Sequence, residues 1–220
     1  MRAAGHSAPP YDENNLALHV GDDPVAVAAN RRQLAGEFGV GQVQFMRQVH
    51  GASVAVVDRA TDDDVADVDV LVTTTRGLAI AVLVADCVPV ALVSPTALAV
   101  VHAGRRGVAG GVVAAAVAAV RRFDAGPLAA SVGPAICGRC YEVPAAMQEE
   151  VVAAAPAAMS TTAAGTPGLD LPAAVRSQLL AAGVDVTYDD ATCTRESSRY
   201  YSHRRDGVTG RFAMVAMLEP

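Results

Sequence analysis

The chain has 220 residues, enough for one domain with a sizeable core, and 52% of them are hydrophobic. No apolar run approaches the roughly 18 residues of a membrane span, and no apolar segment follows the first arginine, so we expect a cytoplasmic protein without membrane contacts or a secretory signal. The net charge of −6 argues against nucleic-acid partners, and the 17 cationic side chains, all arginine, exclude Schiff-base and P-loop lysine chemistry.

The first predicted element is a helix over residues 24–38. Asp23 supplies an acidic N-cap and Pro24 suits the first turn, whereas Gly39 is well placed to end the helix. Apolar and long side chains recur at helical spacing between these ends. The pattern therefore predicts a helix with a recognisable start and stop.

Two short apolar stretches then flank a histidine. Residues 43–47 and 53–58 read as strands, and their close spacing predicts a bent hairpin that places His50 at a strand end. The acidic run at 61–69 is interpreted as a solvated loop. A calcium site is the alternative, but the run lacks the spaced glycine and terminal glutamate of an EF-hand loop.

The centre of the chain carries two reactive side chains at the ends of apolar runs. Residues 78–85 and 97–101 are rich in Val, Leu and Ile and predict buried strands, with a further strand at 89–94. Cys87 follows the first run and His102 follows the second, so we expect them to lie together at one sheet edge. There they are either two ligands of a soft or borderline metal, or a nucleophile and its base.

An arginine pair follows this segment directly. The string Gly104-Arg105-Arg106-Gly107 leads into a predicted helix over 108–123, so its backbone N–H groups and two guanidiniums outline an anion site. The alternative is a helix start with two solvated arginines. The sequence leaves both interpretations open.

A second pair of cysteines lies in a loop after a predicted strand at 129–133. The string Cys137-Gly138-Arg139-Cys140 is compatible with half a zinc knuckle or a redox pair, but no second Cys-x-x-Cys appears in the chain. We therefore favour two structural thiols.

The remaining predicted features are a helix beginning at Pro144, a flexible connection at 165–168, a helix at 171–182, a strand at 184–188 and a polar tail at 193–211. The tail suits either a pocket lining or a surface loop.

A third reactive residue, His50, extends the pair of Cys87 and His102 to a possible three-ligand set. Two imidazoles and a thiolate leave a fourth position open for water or substrate, as in catalytic zinc sites. Strand ends supply all three residues. We therefore expect one mixed α/β domain over residues 1–220, with a mixed sheet core, helices outside and the site at the strand ends.

Three local strings contain these residues: Gln-Val-His-Gly at 48–51, Ala-Asp-Cys at 85–87 and Val-His-Ala-Gly-Arg-Arg-Gly at 101–107. Together they resemble the YfiH family, which is also labelled the laccase-domain, polyphenol oxidase or peptidoglycan-editing-factor family. The resemblance covers nearly the whole chain and extends to strings at 15–16, 20–24, 30–31, 133–136, 140–143, 202–205 and 209–211.

The resemblance implies a YfiH-like fold and a zinc site whose ligands are His50, Cys87 and His102. It also implies activity on purine nucleosides, namely phosphorolysis of adenosine, inosine and methylthioadenosine together with adenosine deamination. The implied partners are therefore a purine nucleoside and phosphate. The chain departs from the family at Arg105, where a tryptophan is frequent, which predicts loss of an aromatic contact to substrate, and at Cys137, which has no assigned role.

The residue types present are compatible with this chemistry. Phosphorolysis needs a phosphate held below C1′ of the ribose, which arginine clamps achieve. Deamination needs a proton-transfer group near C6 of adenine, and Asp86 is adjacent to Cys87. Because neighbours in a strand point to opposite faces, Asp86 reaches the metal site only if the strand has ended or bulged there, and otherwise it orients a histidine. The candidate phosphate ligands are Arg47, Arg106, Arg205 and Arg211.

Four other functions stay open. Cys87 and His102 are the residue types of a cysteine hydrolase, although His50 would then lack a role. Copper also binds N and S donors, so a copper-dependent polyphenol oxidase is possible, but five histidines with no His-x-His pair fall short of a multi-copper site. The other two are a peptidoglycan-editing role and a non-catalytic metal-binding module. The sequence carries no signal for oligomeric state.

Overall fold

A computed structural model describes residues 2–220 of the protein. The helices in this part of the chain are α1 (Pro24–Glu37), α2 (Arg105–Ala109), α3 (Val112–Arg121), α4 (Ala145–Ala154), α5 (Leu171–Ala181) and α6 (His203–Asp206). The strands are β1 (Val43–Gln44), β2 (Val54–Val56), β3 (Val70–Thr73), β4 (Ala79–Val84), β5 (Val88–Val93), β6 (Leu98–Ala103), β7 (Ala129–Val132), β8 (Met159–Thr161), β9 (Pro167–Leu169), β10 (Asp185–Asp189) and β11 (Phe212–Ala216).

Two sheets form the centre of the fold. A six-stranded mixed sheet has the order β10-β7-β5-β6-β3-β2, and a three-stranded mixed sheet has the order β1-β4-β11. The strands β8 and β9 form a separate antiparallel pair. The expected mixed α/β fold with helices outside the sheets is therefore confirmed.

The central strands of the six-stranded sheet, such as β6, are buried on both faces. Neighbouring side chains of a strand point in opposite directions, and another layer covers each face. Val101 of β6 packs in the apolar cluster with Val117 of α3, whereas Val100 packs with Ile80 of the three-stranded sheet. The outer face of that second sheet, which includes Leu83, belongs to a third cluster beside α1. The layers are thus helices, large sheet, small sheet and α1.

The start of α1 follows the sequence prediction closely. The Asp23 carboxylate accepts a hydrogen bond from the backbone N–H of Val25, and Pro24 occupies the first turn. Gly39 has a φ of 65°, the left-handed conformation common just after a helix. With 14 residues α1 is the longest helix, and none of the helices within residues 2–220 is long and apolar enough to cross a membrane.

The predicted hairpin of residues 43–47 and 53–58 is wrong. The strand β1 pairs in parallel with β4, while β2 pairs in parallel with β3 in the other sheet. The two stretches diverge because each finds its apolar partner in a different layer. The segment between them, which includes His50, therefore bridges the two sheets rather than turning a hairpin.

The predicted helix over 108–123 is interrupted. Gly111 has a φ of 84°, which right-handed helices do not tolerate, so the segment divides into α2 and α3. The strands β3, β8, β9 and β11 were also missed by the sequence patterns. In particular, β9 occupies residues that we expected to form a flexible connection at 165–168.

Candidate functional site

Three chain segments meet where β6 ends. Cys87 lies in the short turn that takes the chain from β4 in the small sheet to β5 in the large sheet. The antiparallel register of β5 and β6 places Pro89 opposite His102, so the turn lies beside this histidine. His50 reaches the same point from the segment after β1. The crossing between the sheets thus collects the three candidate ligands.

The donor atoms of His50, Cys87 and His102 all lie within 4.8 Å of one another. The Cys87 Sγ is 3.9 Å from His50 Nε2, and the two imidazole rings meet edge to face at 82° with centroids 4.6 Å apart. Two nitrogens and a sulfur at this separation could bind a metal of the zinc or copper class. The structure therefore brings together the set that the sequence identified.

The side chain of Asp69 organises this cluster. Its Oδ1 lies 2.7 Å from His102 Nδ1 and accepts the backbone N–H of His50, while its Oδ2 accepts the backbone N–H of Gly51 at 2.7 Å. Because Nδ1 of His102 is engaged, Nε2 of that ring is left for the site. The Asp69 carboxylate thus holds the imidazole ring of one candidate ligand, His102, and the backbone of another, His50.

The prediction that 61–69 is a solvated loop is wrong at its end, since the side chain of Asp69 is completely buried. A carboxylate is found in the protein interior only where donors surround it, and four donors from this site do so. The sequence signal was the position of Asp69 between Val68 and Val70, at the start of an apolar strand rather than inside the acidic run.

The thiol and imidazole groups shift each other's protonation. Burial alone would raise the pKa of the Cys87 thiol, but the neighbouring His102 and the hydrogen bonds of both histidines outweigh it and lower the pKa to about 6. Burial alone would lower the pKa of His102, but Cys87 and the hydrogen bond to Asp69 raise it to about 9. The site therefore stabilises the thiolate, the form of cysteine that binds metals.

Gly104 leaves room at the centre of the cluster. A Cβ on this residue would lie 2.7 Å from Cδ2 of His50 and 3.3 Å from both Sγ of Cys87 and Cε1 of His102. The absence of a side chain is therefore what permits the three donors to share one space. This cradle, together with the N₂S donor set, fits a metal ion with one further position open.

Asp86 adopts a strained backbone conformation beside the cluster, with a φ of 101°. Its Oδ1 accepts the hydroxyl of Thr194 at 2.6 Å, and its Oδ2 accepts the backbone N–H of Arg204 at 2.7 Å. Within residues 2–220 the carboxylate therefore hydrogen-bonds to the C-terminal segment and to neither histidine of the cluster. The residue that orients a histidine is Asp69.

A cavity of about 370 Å³ opens over these residues. This volume lies within the range of small-molecule sites. The cavity is lined by His19, Gln48, His50, Leu83, Val84, Ala85, Asp86, Cys87, His102, Arg105, Ile136, Tyr141, Leu171, His203, Arg204 and Arg211. The cluster of His50, Cys87 and His102 thus faces a cavity with mixed polar and apolar walls.

Three guanidiniums line this cavity: those of Arg105, Arg204 and Arg211. Within residues 2–220 no carboxylate forms an ion pair with any of them. Arg204 instead donates to the Glu142 carbonyl and lies 5.0 Å from the centroid of the Tyr141 ring. The walls therefore carry three guanidiniums, beside the Asp86 carboxylate and the Cys87 thiol.

The other arginines selected from the sequence lie elsewhere. Arg47 forms an exposed ion pair with Asp67 at 2.9 Å, and Arg106 is exposed, one position beyond the arginine that lines the cavity. Arg205 donates to Asp206 and to the backbone carbonyls of the tail. Among the four predicted phosphate ligands, only Arg211 lines the cavity.

Several lining residues escaped the sequence analysis. No local pattern marks His19, and Arg204 was noted only within the polar tail at 193–211 and the string at 202–205. Arg105 was recognised as one of a pair and as a departure from the family, but Arg106 was predicted to be the phosphate ligand. Successive helical residues point about 100° apart, and the sequence does not say which of the two faces the cavity. Tyr141 was noted only as part of a string, although it supplies an aromatic wall.

Proteins named as enzymes are similar to this chain over almost its full length. A protein named purine nucleoside phosphorylase from Streptomyces coelicolor is 51% identical over 225 residues, covering 99% of this chain and 93% of the relative. Another of that name from Mycobacterium tuberculosis strain H37Rv is 49% identical over 224 residues, covering 99% and 90%. These relatives support an enzymatic role.

Solved structures share the fold. A Neisseria meningitidis protein matches with a TM-score of 0.88 and 34% identity, covering 100% of this chain and 92% of that one. YlmD from Geobacillus stearothermophilus matches with a TM-score of 0.88 and 33% identity, covering 99% and 90%. A Bacillus licheniformis hypothetical protein, YfiH, has the same TM-score at 29% identity, covering 99% and 90%.

A family model described as multi-copper polyphenol oxidoreductase laccase matches residues 1–219. The chain is therefore a member of this laccase-like YfiH family.

Proposed function

We propose that the protein is a zinc-dependent purine nucleoside phosphorylase that uses the cavity described above. The observation that carries this proposal is the convergence of an N₂S donor set with three guanidiniums that lack carboxylate partners. The names of the relatives support the same reaction class. Adenosine, inosine and methylthioadenosine are the proposed nucleosides, and adenosine deamination is a proposed second reaction.

His50, Cys87 and His102 would hold the zinc ion, and Asp69 would keep His102 in the tautomer that ligation needs. Zinc bound there would supply a Lewis acid and orient polar atoms of the substrate. Asp86 is proposed as a positioning residue rather than a proton donor, since both of its oxygens already accept hydrogen bonds.

Arg105, Arg204 and Arg211 are the proposed phosphate ligands. In phosphorolysis a phosphate oxygen forms a bond to C1′ of the ribose, the bond from C1′ to N9 breaks, and the purine leaves with the electron pair and takes up a proton. Guanidiniums favour this step by holding the phosphate in line and offsetting its charge. The Tyr141 ring offers an apolar wall against the nucleoside.

Deamination of adenosine in the same cavity would replace the amino group at C6 with an oxygen from water and release ammonia. Burial, followed in importance by the charge of Arg211, lowers the pKa of His19. The imidazole of His19 is therefore neutral near pH 7 and can accept a proton. We propose His19 as a proton acceptor in this second reaction.

The direct test supplies purified, zinc-loaded protein with each nucleoside, with and without phosphate, and separates the products by chromatography. A free purine and the matching ribose 1-phosphate formed only with phosphate would support phosphorolysis, whereas inosine formed from adenosine without phosphate would support deamination. No product from any of the three nucleosides at full zinc occupancy would contradict the proposed function. Oxidation of phenols by copper-loaded protein that outpaces nucleoside turnover by zinc-loaded protein would favour a copper-dependent polyphenol oxidase instead.

Changing Gly104 to alanine is expected to weaken zinc binding at least about tenfold, because the new methyl group would enter the space between the ligands. The affinity is measured by competition with a chromophoric chelator. Gly36→Ala is the matched control, since a Cβ there meets nothing within 4 Å. Equal zinc affinity in the Gly104→Ala and Gly36→Ala variants would contradict the role of Gly104 in leaving room for the ion.

Changing Arg105 to glutamine is expected to raise the KM for phosphate about tenfold or more, because one charge-assisted contact is lost. The KM for the nucleoside should change much less. Arg32→Gln, on the exposed surface of α1, is the control. A rise confined to the nucleoside KM would instead place Arg105 against the base or ribose.

A further inference from the structure

A second donor cluster lies outside the cavity and is formed by two turns of matching spacing. Cys137 and Cys140 are separated by two residues, and the backbone N–H of Cys140 donates to the carbonyl of Cys137 at 3.0 Å. Cys193 and Glu196 have the same spacing, and the N–H of Glu196 donates to the carbonyl of Cys193 at 3.2 Å. The missing second Cys-x-x-Cys is thus replaced by Cys-x-x-Glu.

The two turns face each other. One donor atom from each of Cys137, Cys140, Cys193 and Glu196 lies within 4.8 Å of all the others. The Sγ of Cys193 accepts the backbone N–H of Cys137 at 3.4 Å, and the Sγ of Cys140 lies 3.3 Å from Oε1 of Glu196. Ligands of a tetrahedral zinc ion are separated by roughly 3.5–3.8 Å, so little contraction would be needed.

A small number of hydrogen bonds shape the backbone around the cluster. The N–H of Thr194 donates to the Ala135 carbonyl at 3.1 Å and joins the two segments. Arg205 reaches across the second turn and donates to the carbonyls of Thr194, Arg195 and Ser197. The guanidinium of Arg205 thereby fixes the second turn and places a positive charge near the turn that carries Cys193 and Glu196.

We propose that Cys137, Cys140, Cys193 and Glu196 form a second, structural zinc site. Three thiolates and a carboxylate complete a closed tetrahedral set, which leaves no position for substrate. A disulfide accounts for this arrangement less well, because it would use two of the three sulfurs and give Glu196 no role. The site is independent of the proposed nucleoside chemistry.

The ion would clamp together two segments that form one wall of the cavity. The first turn lies between Ile136 and Tyr141, both of which line the cavity, and the second lies shortly before Arg204 and Arg211. These segments otherwise meet through few backbone hydrogen bonds. A metal cross-link would therefore fix the position of the guanidiniums relative to the aromatic wall.

The test is the zinc content of the full chain, purified without added metal and measured by mass spectrometry against protein concentration. We expect two zinc ions per wild-type chain, one in Cys87→Ser, one in Cys193→Ser and none in the double variant. Glu196→Gln should weaken binding of the second ion. Its control is Glu149→Gln, an exposed change on α4 that should retain two ions. Loss of the second ion should lower the Tm by about 5–10 °C.

A single zinc ion that disappears in Cys87→Ser would overturn the second site, as would a loss of two mass units that marks a disulfide among the remaining cysteines. A single ion that persists in Cys87→Ser but disappears in Cys193→Ser would support the second site and contradict the first. If Cys193→Ser fails to fold, cobalt substituted into the Cys87→Ser chain gives the answer. Intense sulfur-to-cobalt absorption that Glu196→Gln perturbs would support the site, and its absence would overturn it.

Discussion

Replacing Cys87 with alanine is expected to remove the zinc of the cavity and lower nucleoside turnover about 10³-fold, equivalent to roughly 4 kcal/mol of transition-state stabilisation. The fold should persist, because Cys87 lies in a turn and its loss leaves a small, partly exposed gap. Zinc content and kcat/KM are the measurements. His50→Ala should behave in the same way for the same reason.

His6→Ala is the matched control for His50→Ala, because His6 is exposed and does not line the cavity. Full turnover in the Cys87→Ala variant would contradict the metal assignment. If alkylation of Cys87 abolishes activity while chelators leave it unchanged, a cysteine hydrolase with His102 as base explains the site better.

Replacing Asp69 with asparagine is expected to destabilise the protein by about 3–5 kcal/mol and to weaken zinc binding as well. The buried carboxylate accepts from His102, His50 and Gly51, and an amide would set a donor against one of these donors. Thermal unfolding of metal-free protein should show a Tm lower by about 10 °C. Asp63→Asn in the exposed acidic run is the control and should change the Tm by less than about 2 °C.

The contribution of the Asp69 carboxylate to folding stability should decrease as the pH falls. Burial alone would raise its pKa, but hydrogen bonds from His102 and from the backbone of Gly51 outweigh burial and hold the pKa below its ordinary value of 3.8. A carboxyl group with a lowered pKa stabilises the fold above its unfolded pKa and loses that contribution as the pH falls through the folded value. The difference in stability between wild type and Asp69→Asn should therefore narrow below about pH 4. A difference that grows there would contradict this role.

Much of the site was readable from local patterns. His50, Cys87 and His102 each follow an apolar stretch, and the end of a buried strand is where a polar side chain can remain functional without breaking the core. The helix α1 was also readable, because the acidic cap, the proline and the final glycine act within a few residues of one another. Such features can be recognised in the sequence because the interactions that cause them involve residues close together in the chain.

Other features depended on which layer each segment joins. The stretches on either side of His50 enter different sheets. Their close spacing therefore reflects a crossing between the two sheets and not a hairpin. Cys137 and Cys140 looked like an incomplete knuckle because their partners lie more than 50 residues away. Periodicity reports which side of a strand is buried but not what covers it.

The sequence by itself therefore determined the fold class, the three candidate ligands and the residue types needed to hold an anion. Only the tertiary structure decided that Asp69 orients His102, that Arg105 and Arg204 rather than Arg47 and Arg106 line the cavity, and that Arg205 braces a distant turn. The physical reason is that a buried charge is stable only beside its partners. Those partners are brought together by long-range packing, which leaves no mark on neighbouring residues.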